Sequence, residues 1–323
     1  MAHASPQTAP RTDYTKHMQN KHIEHPEDTI LTGDLSVLDL LLTPGQLSTK
    51  IDGAPAIVWG TNPATGNFFV GTKSVFNKVK IKINESHAEI DQNHDGNVAE
   101  ILHDCFDRLP RTTNVYQGDF IGVGGSDTYT PNTITYRFNE VVTEDIIVAP
   151  HTIYKVKTDL RDAEAFPLPS YALVSTPFCK FVDTRAHIFT GQYDKCAGDF
   201  GDLKEVIDFA KVMAQTVTFV SDKEAKDLKK QLNACIREQR PIANKDFDCD
   251  PNLLSYWALV KSIKEDALHL CRPQWQGNDC AAFIGDDQIT AEGFVFSTAK
   301  GMVKLVNREV FSYNNFTRAK AWS

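Results

Sequence analysis

The chain has 323 residues, of which 41% are hydrophobic and 24% are charged, and its formal net charge is −8. No apolar run approaches the roughly 18 residues that a membrane helix needs, and the polar N-terminus lacks the apolar segment of a signal peptide, so we expect a soluble cytoplasmic protein. The seven widely spaced cysteines contain no Cys-x-x-Cys motif, which argues against a disulfide framework or a zinc knuckle, and the acidic charge argues against tight non-specific binding of nucleic acid.

The first third of the chain is predicted to contain mostly strands. Residues 1–25 are polar and aperiodic, which predicts a mobile N-terminal arm. A short amphipathic helix is predicted at 34–42, followed by a hairpin of apolar strands at 56–59 and 68–70 around a turn rich in Asn, Pro and Gly. Residues 74–83 alternate Val or Ile with Lys, which predicts a strand with a basic outer face.

The remaining chain is predicted to alternate between strands and a helical block. A helix is predicted at 98–108, strands at 114–123, 133–142, 146–156 and 171–174, helices at 203–219, 222–238 and 252–270, and strands at 293–297 and 302–306. These elements predict an α+β fold. Residues 26–200 and 276–323 would form one domain, and residues 201–275 would form a helical insertion.

Lys50-Ile51-Asp52-Gly53 is the segment that points most directly to chemistry. Alone it is a weak signal, because a charged strand end followed by a turn also explains it. Four further segments follow in a fixed order and make the set far more specific than any member. They are Gly118-Asp119-Phe120-Ile121, Tyr136-Arg137-Phe138, Glu292-Gly293-Phe294-Val295-Phe296 and Val303-Lys304-Leu305-Val306.

This order resembles the signature motifs of the covalent nucleotidyltransferase superfamily, which includes ATP-dependent DNA ligases, RNA ligases and mRNA-capping enzymes. Residues 50–58 and 68–74 look most like a ligase-like family of tailed phages, which would act in the host cytoplasm. The resemblance spans about residues 20–310 apart from the helical insertion. It implies a ligase-type adenylation domain, built on antiparallel sheets with flanking helices.

The resemblance implies that Lys50 attacks the α-phosphate of ATP and forms a covalent lysyl-AMP adduct. Lys304 would contact the same phosphate, and Asp52 and Gly53 would shape the turn, with Asp52 near the ribose or the lysine. The attacking amine must be neutral, whereas a free lysine has a pKa of about 10.4. We therefore expect desolvation or nearby cations to lower the pKa of Lys50.

The resemblance also implies which residues bind the rest of the nucleotide. Asp119 would contact the ribose or a metal ion, and Glu292 would bind Mg²⁺ or Mn²⁺. Phe138 would stack on the base, with Tyr136 as the second candidate. Lys73 would contact the nucleotide or the nucleic acid.

Three features depart from the family pattern. Ala54-Pro55-Ala56 stands where many DNA ligases carry an arginine, Val306 replaces a second lysine, and Asp119 is one methylene shorter than the usual glutamate. The first departure favours an RNA-ligase-like or divergent branch. The other two bear on catalytic rate.

The sequence thus predicts an ATP-dependent ligase that joins RNA or nicked DNA strands. Two alternatives stay open: a nucleotide-binding or phage assembly protein that has lost turnover, and a nucleotidyltransferase with another acceptor, including a GTP-dependent capping type. The helical insertion is the candidate for recognising the substrate.

Overall fold

The structure, a computed structural model, describes residues 23–169, 173–189, 194–195, 197–274 and 280–311. These residues form a mixed α+β fold with almost entirely antiparallel sheets, which confirms the predicted fold class at this level. Most of the predicted N-terminal arm lies outside the described residues.

The helices are α1 (Pro26–Thr29), α2 (Ser36–Leu41), α3 (His87–Asn93), α4 (Gly96–Arg108), α5 (Lys204–Met213), α6 (Asp222–Arg237) and α7 (Pro251–His269). The strands are β1 (Gly45–Lys50), β2 (Ala56–Thr61), β3 (Phe68–Gly71), β4 (Val115–Val123), β5 (Thr128–Tyr129), β6 (Thr135–Phe138), β7 (Ile146–Lys155), β8 (Glu164–Pro167), β9 (Cys179–Phe181), β10 (Arg185–Phe189), β11 (Asp194–Lys195), β12 (Ala197–Gly198), β13 (Cys271–Pro273), β14 (Cys280–Ile284), β15 (Asp287–Ile289), β16 (Gly293–Thr298) and β17 (Gly301–Val306).

The strands form three sheets. Sheet A has the order β3-β2-β4-β7-β8, with β9 pairing in parallel with β7. Sheet B has the order β11-β10-β1-β16-β17, with β12 on β1 and β13 on β10. Sheet C has the order β15-β14-β6-β5. Strands from distant parts of the chain are therefore neighbours, and β1 pairs with β16 over its whole length.

Most predicted elements are confirmed, because their apolar periodicity matches a face that is buried. The 56–59 and 68–70 strands form a hairpin, and the three predicted helices of the insertion appear as α5, α6 and α7. The predicted strand at 74–83 is wrong. In the structure, Lys73–Phe76 form a short 3₁₀-helix, and an irregular loop follows. The predicted strand at 171–174 lies partly outside the described residues, and its last two residues have no regular structure.

Sheet B separates a helical core from the rest of the molecule. Alternate side chains of its strands, including Leu47, Phe294, Phe296, Val303 and Leu305, pack against α2, α5, α6 and α7 in one hydrophobic core. The insertion therefore packs on the back of sheet B. The predicted insertion runs to residue 275, but its residues 271–273 lie beyond α7 and form β13 of sheet B.

Local signals position these helices. Ser221 and Glu224 form a capping box at the start of α6, which satisfies backbone N–H groups that have no partner within the helix. Asp250 caps α7, and Pro251 occupies the first turn, where proline is tolerated.

The six cysteines within the described residues are free thiols. Cys105, Cys179, Cys235, Cys271 and Cys280 are buried free thiols, and Cys249 is a partly buried one. Within the part of the chain that the structure describes, no helix has the length and hydropathy of a transmembrane span.

Candidate functional site

A cavity of about 300 Å³ lies between sheets A and B. Its wall on sheet B is formed by the side chains that alternate with those facing the helical core. Its opposite wall is formed by β4, β7 and β8 of sheet A. The residues that line both walls include Ser48, Lys50, Lys73, Gln117, Asp119, His151, Tyr154, Phe166, Val295, Met302 and Lys304. The volume is at the lower end of the range for small-molecule sites, which is about 300–1,000 Å³.

Lys50 lines this cavity and forms an ion pair with Glu292. Lys50 is the last residue of β1 and pairs with Gly293, so Glu292 lies directly beside it although 242 residues separate them in sequence. The Lys50 Nζ to Glu292 Oε2 distance is 2.5 Å. The side chain of Glu292 is 9% exposed, whereas that of Lys50 keeps 35% of its surface accessible from the cavity.

The charge around Lys50 keeps it protonated in this structure. Burial lowers the pKa of Lys50, but the carboxylates of Glu292, Asp119 and Asp52 outweigh burial and raise it above its ordinary value. The expected lowering is therefore absent from the ligand-free site. An attacking neutral amine requires the carboxylates to be neutralised first.

Asp119 approaches the same point from sheet A. It lies on β4 between Ala56 of β2 and Ala149 of β7, and its Oδ2 is 3.7 Å from Nε2 of His151. Burial raises the pKa of Asp119 to about 7, although Lys50 lowers it. Burial, together with Lys73 and Lys50, lowers the pKa of His151 to about 3, so this imidazole is neutral.

Two further lysines, Lys73 and Lys304, line the cavity. Lys304 lies on β17 opposite Val295, and burial lowers its pKa while Lys50 adds to the effect. Lys73 begins the 3₁₀-helix after β3 and lies near enough to Asp119 to lower its pKa. The cavity is therefore lined by three cationic side chains and by the Asp119 carboxyl group, and Glu292 contacts one of these cations, Lys50.

Asp52 and Gly53 shape the turn after Lys50, but the Asp52 carboxylate binds protein groups. It accepts hydrogen bonds from the Asn132 side chain and from the backbone N–H groups of Thr133 and Ile134, at 2.7–3.0 Å. Gly53 is required because a Cβ there would lie 2.6 Å from the Cβ of Asp119. Asp52 was predicted to lie near the ribose or the lysine. It is close enough to Lys50 to raise the pKa of that lysine, whereas a contact with ribose has no support in this geometry.

The structure corrects the predicted base-stacking residue. Phe138 lies on β6 in sheet C, where it is buried against Tyr129 with a ring-centroid distance of 5.7 Å, and it does not line the cavity. The hydroxyl of Tyr136 accepts a hydrogen bond from the backbone N–H of Asp52. Because β6 pairs with β14 and β5 in sheet C, the predicted stacking of Phe138 on a base has no support in this geometry.

The side chains that face the cavity beside Asp119 come from β4, β7 and β8, and the sequence analysis missed them. Tyr154 donates a 2.6 Å hydrogen bond to Oε1 of Gln117, and Gln117 lies 3.4 Å from Nε2 of His151. Phe166 and Pro167 continue this wall. A usable signal existed, because Gln117 and Asp119 are polar residues on the same side of an apolar strand.

The two chain crossings between sheets A and B lie next to each other. One is the segment from Lys50 to Ala56, and the other connects β9 to β10 through Thr184. The backbone N–H of Thr49 donates to the Thr184 carbonyl at 2.7 Å, and the Thr184 hydroxyl donates to the Pro150 carbonyl at 2.7 Å. The candidate nucleophile is therefore beside the connection between the two sheets.

The donor atoms at this end of the cavity suit a hard divalent cation. Among the described residues there is no group of three or more His, Cys, Asp or Glu side chains arranged to hold a metal. Mg²⁺ is commonly held by only one or two carboxylates together with substrate phosphates and water. Asp119 and Glu292, which both interact with Lys50, are the carboxyl groups that could take this role.

The fold and the site thus define an α+β protein with a lysine-containing and carboxylate-containing cavity between two antiparallel sheets. The sequence profile of DUF6267, a family of unknown function, matches residues 20–252 and 250–320, and the chain belongs to this family. No curated protein and no solved structure matches the chain.

Proposed function

We propose that this protein is an ATP-dependent polynucleotide ligase that works through a covalent lysyl-AMP on Lys50. The observation that carries the proposal is that Lys50, Asp119 and Lys304 line one cavity between two sheets, and that Glu292 is ion-paired with Lys50. These residues are far apart in sequence and were selected by their order alone. An arrangement without function would not require them to meet.

The first step is transfer of AMP to Lys50. Neutral Nζ of Lys50 attacks the α-phosphorus of ATP, a P–N bond forms, and the bond to the leaving pyrophosphate breaks. Lys304 lines the cavity from β17, the edge strand of the same sheet as Lys50. Its charge is suited to stabilise the negative charge that develops on the α-phosphate.

Lys50 must lose a proton before this attack. Mg²⁺ or Mn²⁺ held by Glu292 and Asp119 would neutralise the charge that now raises the pKa of Lys50, and would also offset the charge of the triphosphate. In this scheme, the ion pair between Lys50 and Glu292 keeps the lysine protonated until the metal ion and ATP bind.

The base would lie toward the wall formed by Gln117, His151, Tyr154 and Phe166. Phe166 offers an aromatic face, and Gln117 and neutral His151 offer hydrogen-bonding groups without charge. These residues replace Phe138 as the candidates for base recognition.

The later steps use the adduct. A 5′-phosphate attacks the phosphorus of lysyl-AMP, which breaks the P–N bond and frees Lys50. A 3′-hydroxyl then attacks the activated 5′-phosphate, and AMP leaves as the strand is sealed. The residues of the cavity bear on the lysine step, and both this step and the identity of the acceptor belong to the proposal.

The test is covalent labelling of Lys50. Incubation with labelled ATP and Mg²⁺ or Mn²⁺ should give a labelled protein, and intact mass spectrometry should show an increment of one nucleoside monophosphate. Lys50→Ala should abolish the adduct, whereas Lys300→Ala, at an exposed lysine in the nearby β16–β17 turn, should retain it. Labelling by GTP in place of ATP would identify a capping type.

A second candidate, a nucleotide-binding protein without turnover, is favoured by one observation. Val306, where the family pattern has a second lysine, is buried in a hydrophobic core with Ile51. This alternative predicts nucleotide binding without an adduct. A wild-type protein that stays unlabelled with every metal and nucleotide would exclude the ligase proposal, and strand joining by purified protein would exclude the alternative.

A further inference from the structure

The loop at residues 77–82 combines strong positive charge with exposure. Lys78, Val79 and Lys80 are exposed, and the side chain of Val79 is 77% exposed. In the part of the chain that the structure describes, neither Lys78 nor Lys80 lies within ion-pair distance of a carboxylate. By contrast, six lysines of α5, α6 and α7 pair with a carboxylate: Lys204, Lys211, Lys229, Lys230, Lys261 and Lys264.

This loop is anchored beside the cavity. The backbone N–H groups of Asn77 and Lys82 both donate to the Ser74 carbonyl, so the loop leaves and returns at one place. Lys73, one residue before Ser74, lines the cavity. The ring of Phe76 packs on that of Tyr154, another cavity residue, with a centroid distance of 4.5 Å. The loop therefore extends from the cavity rim.

The lysine at position 80 is held in an unfavourable backbone conformation. Its φ is +55°, in the left-handed region where glycine or asparagine is usual. The loop is held in place on its far side by Lys82, whose Nζ donates to the Asn93 carbonyl at 2.5 Å. Lys80 is therefore an exposed lysine in a conformation that glycine adopts more readily.

We propose that Lys78 and Lys80 bind the phosphodiester backbone of a polynucleotide strand whose 5′-phosphate end enters the cavity. The inference rests on the proposed function for the position of the reacting end. Its physical basis is charge together with position: although the net charge of the chain is −8, this loop places two exposed lysines beside the rim of the proposed phosphate-binding cavity, where they would attract a polyanion. Lys73 would continue the line of positive charge from the loop into the cavity.

The experiment compares two variants with the same change of charge. Lys78→Gln/Lys80→Gln removes the loop charges. Lys223→Gln/Lys226→Gln removes two exposed lysines of α6, which packs on the opposite side of sheet B. Binding of a fluorescent 5′-phosphorylated single strand is followed by anisotropy at several salt concentrations, with an RNA arm and a DNA arm of the same sequence.

The loop variant should bind about tenfold more weakly at 0.15 M salt, and the slope of log affinity against log salt should fall by about 1.4, because each phosphate contact on a single strand contributes about 0.7. The α6 variant should match wild type. Lys80→Gly is a second loop variant that suits the left-handed backbone, so weaker binding by it cannot be attributed to misfolding.

Equal slopes in wild type and the loop variant would overturn the inference, as would equal losses in both double variants or no binding by wild type to either strand. Adduct formation on Lys50 is scored separately. If binding depends on the loop lysines but no adduct forms, the loop binds polynucleotide and the proposed lysine chemistry is wrong. If an adduct forms but binding does not depend on the loop lysines, only the proposed role of the loop is wrong. The stronger arm identifies the acceptor as RNA or DNA.

Discussion

Asp119 is a carboxyl group in surroundings that disfavour its charge. Its side chain is 18% exposed, and burial raises its pKa to about 7 even with Lys50 nearby. In the unfolded chain its pKa would be near 3.8. The unfolded state therefore loses this proton at a lower pH than the folded state, and ionisation of Asp119 costs stability as the pH rises from about 4 to about 7.

Asp119→Asn should therefore stabilise the ligand-free protein at pH 8 and do so much less at pH 5. The shift of roughly three pH units corresponds to an upper limit of about 4 kcal/mol at pH 8. Urea unfolding at both pH values measures this. Asp266→Asn, at an exposed carboxylate of α7, is the control and should change little at either pH. A gain of stability that is the same at pH 5 and pH 8 would contradict the assignment.

At the residue scale, the sequence predicted the charged end of the cavity and missed the other end. Lys50, Asp119, Glu292 and Lys304 each stand in a short motif that survives as a local pattern. His151 and Gln117 stand in ordinary strands, and only the pairing of β4 with β7 brings them to the cavity. Phe138 was chosen by order along the chain, which does not determine the neighbouring strand.

At the element scale, the turn from β1 to β2 depends on close packing against β4. A Cβ at Gly53 would lie 2.6 Å from the Asp119 Cβ and 2.8 Å from the Phe120 carbonyl oxygen, both closer than atoms pack. The backbone N–H of Ala54 donates to that same carbonyl at 3.0 Å. Glycine is thus needed for proximity between the Lys50 turn and Asp119.

Gly53→Ala should move this turn away from β4 and separate Lys50 from Asp119. We expect a loss of stability of about 1–3 kcal/mol, as for other overpacked sites, and adduct formation at least about 100-fold slower, because small displacements of reacting groups cost that much. Chemical denaturation and the labelling assay measure the two effects. Gly201→Ala, whose nearest neighbour is a movable Asp199 carboxylate, should be mild in both.

The incorrect strand at 74–83 shows what periodicity omits. Alternating apolar and basic residues predict a strand only if a neighbouring strand and a core are available for one face. Here Val75 enters a core, but Val79 and Ile81 stay exposed, and only Asn84 returns to pair with Val70. The helices were easier to predict, because their hydrogen bonds are local and their caps stand in the sequence.

At the scale of the whole molecule, a buried ionic network joins distant parts of the chain. Lys264 of α7 donates to Glu27 of α1 at 2.8 Å, and Arg308, after β17, donates to Glu27 and Asp28 at 3.1 and 2.9 Å. Trp257 donates to the same Asp28 oxygen at 3.3 Å. These groups are nearly inaccessible, so each charge depends on its partners.

Lys264→Met should destabilise the protein by about 3–5 kcal/mol, because it leaves part of the Glu27 charge buried without its lysine. Adding Glu27→Gln should recover part of this loss. In wild type, burial raises the pKa of Glu27, but Lys264 and Arg308 outweigh burial and lower it. The stability that the ionised Glu27 contributes is therefore lost as the pH falls through and below about 4.5. Urea unfolding of both variants checks this, and additive losses would contradict the coupling.

Global arrangement was the least predictable property. The sequence marked residues 201–275 as helical and suggested that they recognise substrate, but it gave no indication of which face they cover. The apolar faces of α5, α6 and α7 bury the side of sheet B that is turned away from the cavity. The strand order β1-β16-β17 depends on contacts across most of the chain, which local patterns do not encode.

The adjacent crossings at Lys50 and Thr184 have a mechanical consequence. Where two sheets are directly connected at one short edge, any change in the angle between them moves atoms near that edge least and atoms at the far rim most. Lys50 is at the joined edge and Phe166 is on the outermost strand of sheet A. Such bending would leave the phosphate-reacting end nearly stationary and widen or narrow the entrance for the base. In the proposed reaction, the positions of the reacting groups and the access of substrate would then depend on opposite ends of the cavity.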